Sequence, residues 1–265
     1  MLILIRGAGD LASGIAIRLK HAGFDVVMTD LPAPTAIRRT VAFSEAILHG
    51  EAHVEDATAH RAATAGEAKE LLKDGFIPVL ADAECKCREE LSPDVLIDAI
   101  LAKRNTGTKI TDATLVIGIG PGFTAGDDCH AAIETMRGHT LGRVIYSGSP
   151  LPNTNIPGLI GGFAGERVLR APADGKFRVN AKIGDMVQAG DVVGYVETEP
   201  MRCTISGVLR GLIADGSMVK RGMKSGDVDP RGEKEYCKTV SDKALAIGGG
   251  VLEAILHFTG IIHST

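Results

Sequence analysis

At 265 residues the chain is long enough for one large domain or two modest ones. A formal net charge of -4, 4% aromatic residues and no Trp argue against nucleic-acid binding by bulk charge or by base stacking. No apolar run approaches the length of a bilayer span.

The 33 Gly gather at the ends of apolar runs, which points to tight turns and close backbone approaches. The opening MLILIRGAGD has no basic segment before its apolar run, so it does not read as a signal peptide. The 5 Cys lack disulfide-framework spacing and fit a reducing cytoplasm.

Residues 2–5 form a β-rich run that leads into GAGDLA. Gly7, Gly9 and Ala12 make a G-x-G-x-x-A fingerprint, and Leu11, Ile15 and Leu19 continue at helical spacing. Residues 25–30 read as a second strand ending in Asp30, where a ribose-binding acid would sit. The alternative is a tight βα turn whose glycines only pack.

His49, His53 and His60 are spaced to share a helical face, as metal ligands or, more simply, as solvated side chains. Residues 64–73 read as a helix. Residues 76–82 read as a strand in which Pro78 marks an early or edge position. Cys85 and Cys87 form a lone C-x-C, short of the four ligands a zinc site wants. No metal site is assigned.

The central stretch, residues 93–143, offers a second anion site. A strand near 95–101 precedes the loop Lys103-Arg104-Asn105-Thr106-Gly107-Thr108. A buried strand at 114–119 then runs into Gly120-Pro121-Gly122-Phe123-Thr124-Ala125-Gly126. A helix is expected from Asp127, with Thr124 and Asp127 spaced as a capping box. On it Cys129 takes a core position, and His130, Glu134 and Arg137 share another face, with His139 just beyond. A glycine turn and a helix N-terminus would bring backbone N–H groups to an anion. Lys103 would act there as a point charge and Arg104 as a bidentate fork.

Strands alternating with helices imply an α/β fold: a Rossmann-like parallel sheet with helices on both faces. From Gly148 a proline-rich linker follows. Beyond it Gly175, Gly184, Val187 and Gly190 match Gly207, Gly216, Val219 and Gly222 at the same spacings. These copies resemble the barrel-sandwich of lipoyl and biotinyl carriers, but the joining segment has no Lys to carry a swinging arm. The expected division is 1–148 for the Rossmann-like domain and 149–164 for the linker. An inserted small β barrel-sandwich spans 165–238, and 239–265 is a helix returning to the first domain.

Together, GAGDLASG, DAILAKRNTGT, GIGPGFTAG, IETMRGHTLGR, the paired repeat and GDVDPRG resemble the YqeB family over nearly the whole chain. That family is associated with the selenium-dependent molybdenum hydroxylase system and is distantly similar to XdhC-type maturation factors. The resemblance implies an accessory protein that binds molybdenum cofactor, as a pterin dinucleotide, and docks on an apo molybdenum hydroxylase. It assigns no catalytic residue. A pyrophosphate suits either a pterin dinucleotide or NAD(P), so an NAD(P)-dependent oxidoreductase stays open, with His130 or His139 as its acid. The expected binding set is Gly7, Gly9, Ala12, Asp30, Lys103, Arg104, Asn105, Gly120, Gly122, Gly126, His130, Glu134 and Arg137. Expected partners are the apo-hydroxylase and a small dinucleotide, with neither nucleic acid nor membrane. A homo-oligomer is compatible.

Overall fold

The computed structural model describes residues 1–154 and 156–260. It divides into two units, Met1–Pro34 with Ala42–Thr154 and Val240–Thr265, and Thr35–Val41 with Asn155–Thr239.

The first unit begins with β1 (Leu2–Arg6), α1 (Asp10–His21) and β2 (Asp25–Asp30). It continues through α2 (Glu45–His49), β3 (Glu51–Val54), β4 (Ala57–Ala62), α3 (Ala65–Lys73) and β5 (Ile77–Ala81). Then come α4 (Arg88–Leu91), β6 (Val95–Asp98), β7 (Leu115–Ile119), β8 (Ala131–Ile133) and β9 (Val144–Ile145). The nine strands form one sheet in the order β3-β4-β5-β2-β1-β6-β7-β8-β9. Strands β1, β6 and β7 are short runs of Val, Ile and Leu between covered faces, which is why they lack polar alternation. Leu4, Leu80, Leu96 and Val116 pack on one face with Ala65 and Ala68 of α3.

In the second unit the strands are β10 (Val168–Arg170), β11 (Gly175–Val179), β12 (Met186–Val187) and β13 (Val192–Val196). They continue as β14 (Glu199–Arg202), β15 (Gly207–Leu212), β16 (Met218–Val219) and β17 (Lys224–Asp229). Two antiparallel sheets result, β10-β17-β15-β12 and β14-β13-β11-β16. The matched glycines take matched conformations: Gly175 and Gly207 have φ of 144° and 156°, and Gly184 and Gly216 have 98° and 79°. Each copy lends its short strand to the other, since β12 pairs with β15 and β16 with β11. The last helix, α5 (Asp242–Thr259), belongs to the first unit; Ser241 caps it by accepting from the Ala244 N–H.

This architecture overturns the Rossmann-like parallel sheet with helices on both faces plus an inserted barrel-sandwich. The large sheet is mixed, because β3 and β9 run antiparallel at its two edges. The connections from β6 to β7 and from β7 to β8 contain no helix. The smaller unit is two four-stranded antiparallel sheets, and it draws a strip from early in the chain. Ile37 C=O accepts from the Leu212 N–H at 2.7 Å, and Arg39 Nε donates to the Leu212 C=O at 3.0 Å.

The helix expected from Asp127 is absent for a local reason. Gly118, in the middle of β7, has no side chain, and Phe123 lies in the space; a Cβ there would stand 2.3 Å from the Phe123 ring. Burying Phe123 pulls the glycine turn back onto the sheet. Ala125 then exchanges backbone hydrogen bonds with Gly148, and the chain goes directly into β8. The proposed capping box fails with it: Asp128, not Asp127, returns its carboxylate to the Thr124 N–H, at 3.0 Å.

Pro78 is the second residue of β5, an interior strand, so it marks a strand start rather than a sheet edge. The three histidines share no helical face: His49 ends α2, His53 lies in β3 and His60 in β4. His53 and His60 both meet Glu51, at 2.5 and 3.3 Å.

Candidate functional site

The carboxyl ends of β1, β2, β5 and β6 form one edge of the large sheet, and the candidate site is built there. After β1 the chain turns through Gly7, whose φ is +107° and whose N–H donates to the Thr29 C=O at 2.8 Å. The fold itself requires this glycine, because a Cβ would lie 2.8 Å from the Ala99 carbonyl oxygen.

Gly9 differs. It is the N-cap of α1 with ordinary angles, φ -71° and ψ -177°, and no side chain caps the helix. A Cβ on Gly9 would meet nothing within 4 Å. The protein leaves open space directly over the start of a 12-residue helix, where backbone N–H groups and the helix dipole favour an anion. Ala12, in the first turn, has a buried side chain.

Asp30 ends β2, but its carboxylate is held by the turn. Oδ2 accepts from the Ala8 N–H and Oδ1 from the Leu31 N–H, each at 2.7 Å. Burial raises its pKa despite those bonds. Asp30 thus shapes the glycine turn as well as standing at the end of β2.

Arg6 is a buried cation at this edge, and sequence reasoning passed over it because it reads as the last strand residue before the turn. Its guanidinium bonds Asp98 at 3.1 Å and Thr108 Oγ1 at 3.0 Å, with the Arg6 side chain 11% and the Asp98 side chain 3% exposed. Arg6 Nε is buried and has no hydrogen-bond partner among the described residues. Thr108 Oγ1 donates to Asp98 Oδ2 at 2.6 Å, which closes a buried triangle. Beside it opens a cavity of about 400 Å³ with mixed charge, lined by Arg6, Lys86 and Arg88, by Glu84, Glu89 and Asp112, and by Cys85, Leu96 and residues 106–108.

The 103–108 loop lies where the sequence put it, at the end of β6, but its members do different work. Asn105 is a brace: its amide donates to the Thr108 C=O and Asp128, and its carbonyl accepts from the N–H of Gly107 and Thr108. These four bonds tie it to its own loop and to Asp128. Lys103 and Arg104 are exposed. Gly122 lets this loop meet the second glycine turn, since a Cβ there would fall 2.4 Å from the Arg104 Cα. Gly120 likewise abuts Thr135, whereas a Cβ on Gly126 would meet nothing within 4 Å.

His130, Glu134 and Arg137 do not form a wall. Without the helix, His130 precedes β8 and Glu134 and Arg137 follow it. His130 Nδ1 accepts from the Val116 N–H at 3.0 Å. Glu134 is buried, and its two oxygens accept from the N–H groups of Met136 and Leu151. Arg137 forks onto Asp242 at 2.7 and 2.8 Å. His139 is exposed on a turn. Cys129 is fully buried, and burial pushes its thiol up to about 11, so no helix dipole activates it.

The loop after β5 winds round the Asp82 carboxylate. Oδ2 accepts from the Cys87 N–H at 2.7 Å, and the backbone of Lys86 and Glu84 adds to the stabilisation of its charge. Burial alone would raise the Asp82 pKa, but these bonds outweigh it and hold it below 3.8. A carboxylate lowered on folding stabilises its loop above its unfolded pKa and loses that contribution as pH falls through the lower folded value. Amide hydrogen exchange at Lys86 and Cys87 is therefore expected to stay slow at pH 6 and to accelerate relative to the core below about pH 3.8. Asp82→Asn should show the fast exchange already at pH 6; unchanged protection in that variant would count against the carboxylate as the organiser.

No family model matches the chain. It is 53% identical over 255 residues to the "uncharacterized protein YqeB" of Escherichia coli strain K12, covering 96% of this chain and 47% of that protein. The chain thus spans about half the length of that relative.

Among solved structures, an aspartoacylase family protein from Mesorhizobium loti aligns over 86% of this chain and 84% of its own, at 12% identity and TM-score 0.28. A succinylglutamate desuccinylase from Silicibacter sp. aligns over the same shares at 13% identity and TM-score 0.26. The product-bound ectoine utilization protein EutE (DoeB) from Ruegeria pomeroyi aligns over 32% of this chain and 27% of its own, at 19% identity and TM-score 0.23. No helix among the described residues is long and apolar enough to cross a membrane.

Proposed function

Because the chain belongs to the YqeB family, we propose that it is an accessory protein that holds a pyrophosphate-containing cofactor at the turn between β1 and α1. The finer reading follows the motif resemblance: the cofactor is a pterin dinucleotide, and the partner that receives it is an apo molybdenum hydroxylase of the selenium-dependent system.

The observation that supports cofactor binding is Gly9. Its backbone angles suit any residue, and the protein around it has room for a side chain, so folding alone does not call for glycine. What a side chain there would obstruct is access from outside to the N–H groups of the first turn of α1. The oxidoreductase reading is the weaker one, because His130, its candidate acid, is committed to the Val116 N–H and His139 lies on an exposed turn.

Gly9→Val is expected to weaken binding of the preferred dinucleotide at least tenfold, about 1.4 kcal/mol. Isothermal titration of wild type and variant with NAD, NADP and a pterin dinucleotide measures this and ranks the ligands. Wild-type protein that binds none of the three, or a variant that binds as tightly as wild type, would reject the site.

A further inference from the structure

The loop after β5 carries the C-x-C pair that the cofactor site leaves unused. Asp82 anchors it from below, and the Cys85 N–H also donates to the Asp82 C=O at 3.2 Å. Cys85 takes a left-handed conformation, φ +56°, which is costly for a residue with a side chain and persists where the surroundings fix it. The turn holds the two cysteines two residues apart, with the Cys87 N–H bonded to Asp82 Oδ2 at 2.7 Å and the Arg88 N–H to the Cys85 C=O at 3.3 Å. Both are free thiols. Cys85 is 2% exposed and forms part of the lining of the Arg6 cavity, while Cys87 is partly exposed.

From this geometry we propose that Cys85 and Cys87 are a redox-active dithiol that exchanges with small disulfides, with Cys87 as the entering sulfur and Cys85 as the resolving one. The pair differs from Cys129, Cys203 and Cys237, each buried and none with a second cysteine within two residues in sequence. Residues two apart in a turn lie near the Cα separation a disulfide needs, about 4.4–6.8 Å.

The exchange balances with a dialkyl disulfide RSSR as oxidant. Cys87, as thiolate, attacks one sulfur of RSSR. A Cys87–SR bond forms, the S–S bond of RSSR breaks, and the departing RS⁻ takes up the proton that Cys87 gave up. Cys85, as thiolate, then attacks the Cys87 sulfur. The Cys85–Cys87 bond forms, the Cys87–SR bond breaks, and the second RS⁻ takes the proton from Cys85. Two thiols are oxidised and one disulfide is reduced to two thiols.

The local electrostatics favour the second step and slow the first, in which access rather than acidity makes Cys87 the entering sulfur. The hydrogen bond from Cys87 holds the Cys85 thiol below its ordinary value despite burial, and the Arg6 charge acts in the same direction. The same bond raises Cys87, so one proton is shared across the pair.

The test uses the whole 265-residue chain. Reduced protein is equilibrated with oxidised glutathione, quenched in acid, alkylated and weighed intact, then digested to locate the bond. Wild type should lose two hydrogens, retain no glutathione and yield a peptide linking Cys85 to Cys87. Cys85→Ser should instead trap one glutathione on Cys87, and Cys87→Ser should react at least tenfold more slowly than Cys85→Ser. Thermal melts of both variants show whether they are folded. If a variant fails to fold, the wild-type result alone decides. Wild type that stays fully reduced, or that keeps glutathione on Cys87 without closing the bridge, would overturn the proposal.

Discussion

Asp227→Asn should lower the melting temperature of the protein by roughly 10 °C, through a loss of about 3–5 kcal/mol. Asp227 is 1% exposed in β17 and lies between two buried arginines. One of its oxygens accepts from Arg167, and the other accepts from Arg210 Nε at 2.8 Å and Nη2 at 2.5 Å. Arg210 also reaches Asp229 Oδ2 at 2.9 Å, and Arg231 meets the same oxygen at 2.6 Å while stacking over Tyr236 at 4.3 Å.

The amide keeps the shape of the carboxylate but removes the charge that two cations share. A buried charge left without its partner costs far more than an exposed ion pair returns. A calorimetric melt checks this, and a shift within about 2 °C would show that the arginines find compensation elsewhere.

Asp229 adds a pH dependence of known sign. Burial pushes its pKa up, but the hydrogen bonds from Arg231 and the charge of Arg210 outweigh this and hold it below 3.8. Its contribution to stability is therefore complete above its unfolded pKa and is lost as pH falls through the lower folded value.

Gly7→Ala should destabilise the first unit by about 3 kcal/mol or more, while Gly9→Ala should leave stability unchanged or slightly higher. Two costs combine at Gly7. A φ of +107° lies in the region that L-residues avoid, and the added Cβ would stand 2.8 Å from Ala99 O and 2.9 Å from Ala99 C. Both neighbours are backbone, so β1 and the chain leaving β6 would have to separate. Gly9 has neither problem. Melting curves of the two variants, with dinucleotide titrations beside them, separate a folding glycine from a binding one. Equal losses of stability would erase that distinction.

The local grammar of the chain was legible in its sequence. The β1–α1 turn, the strand ending at Asp30, the helix capped by Thr64 and the helix beginning after Ser241 each announce themselves through neighbours in sequence. The glycine-matched repeat was equally plain, because a left-handed turn at a fixed spacing needs the same residue each time.

Three things waited for the tertiary structure, each because a distant group decides it. The helix expected after Asp127 was lost to Phe123, which finds its slot only because Gly118 lies in β7 beneath it. The sheet proved mixed because β3 and β9 pair antiparallel, a matter of edge partners that strand patterns do not encode. The polar residues of the expected site were divided by their hydrogen bonds: Asp30, Asn105, His130 and Glu134 went to bracing backbone, and Arg6 came in. Residue type and spacing determine which side chains can carry a charge or a proton. Whether a backbone N–H or a ligand takes that capacity depends on what folding brings within about 3 Å.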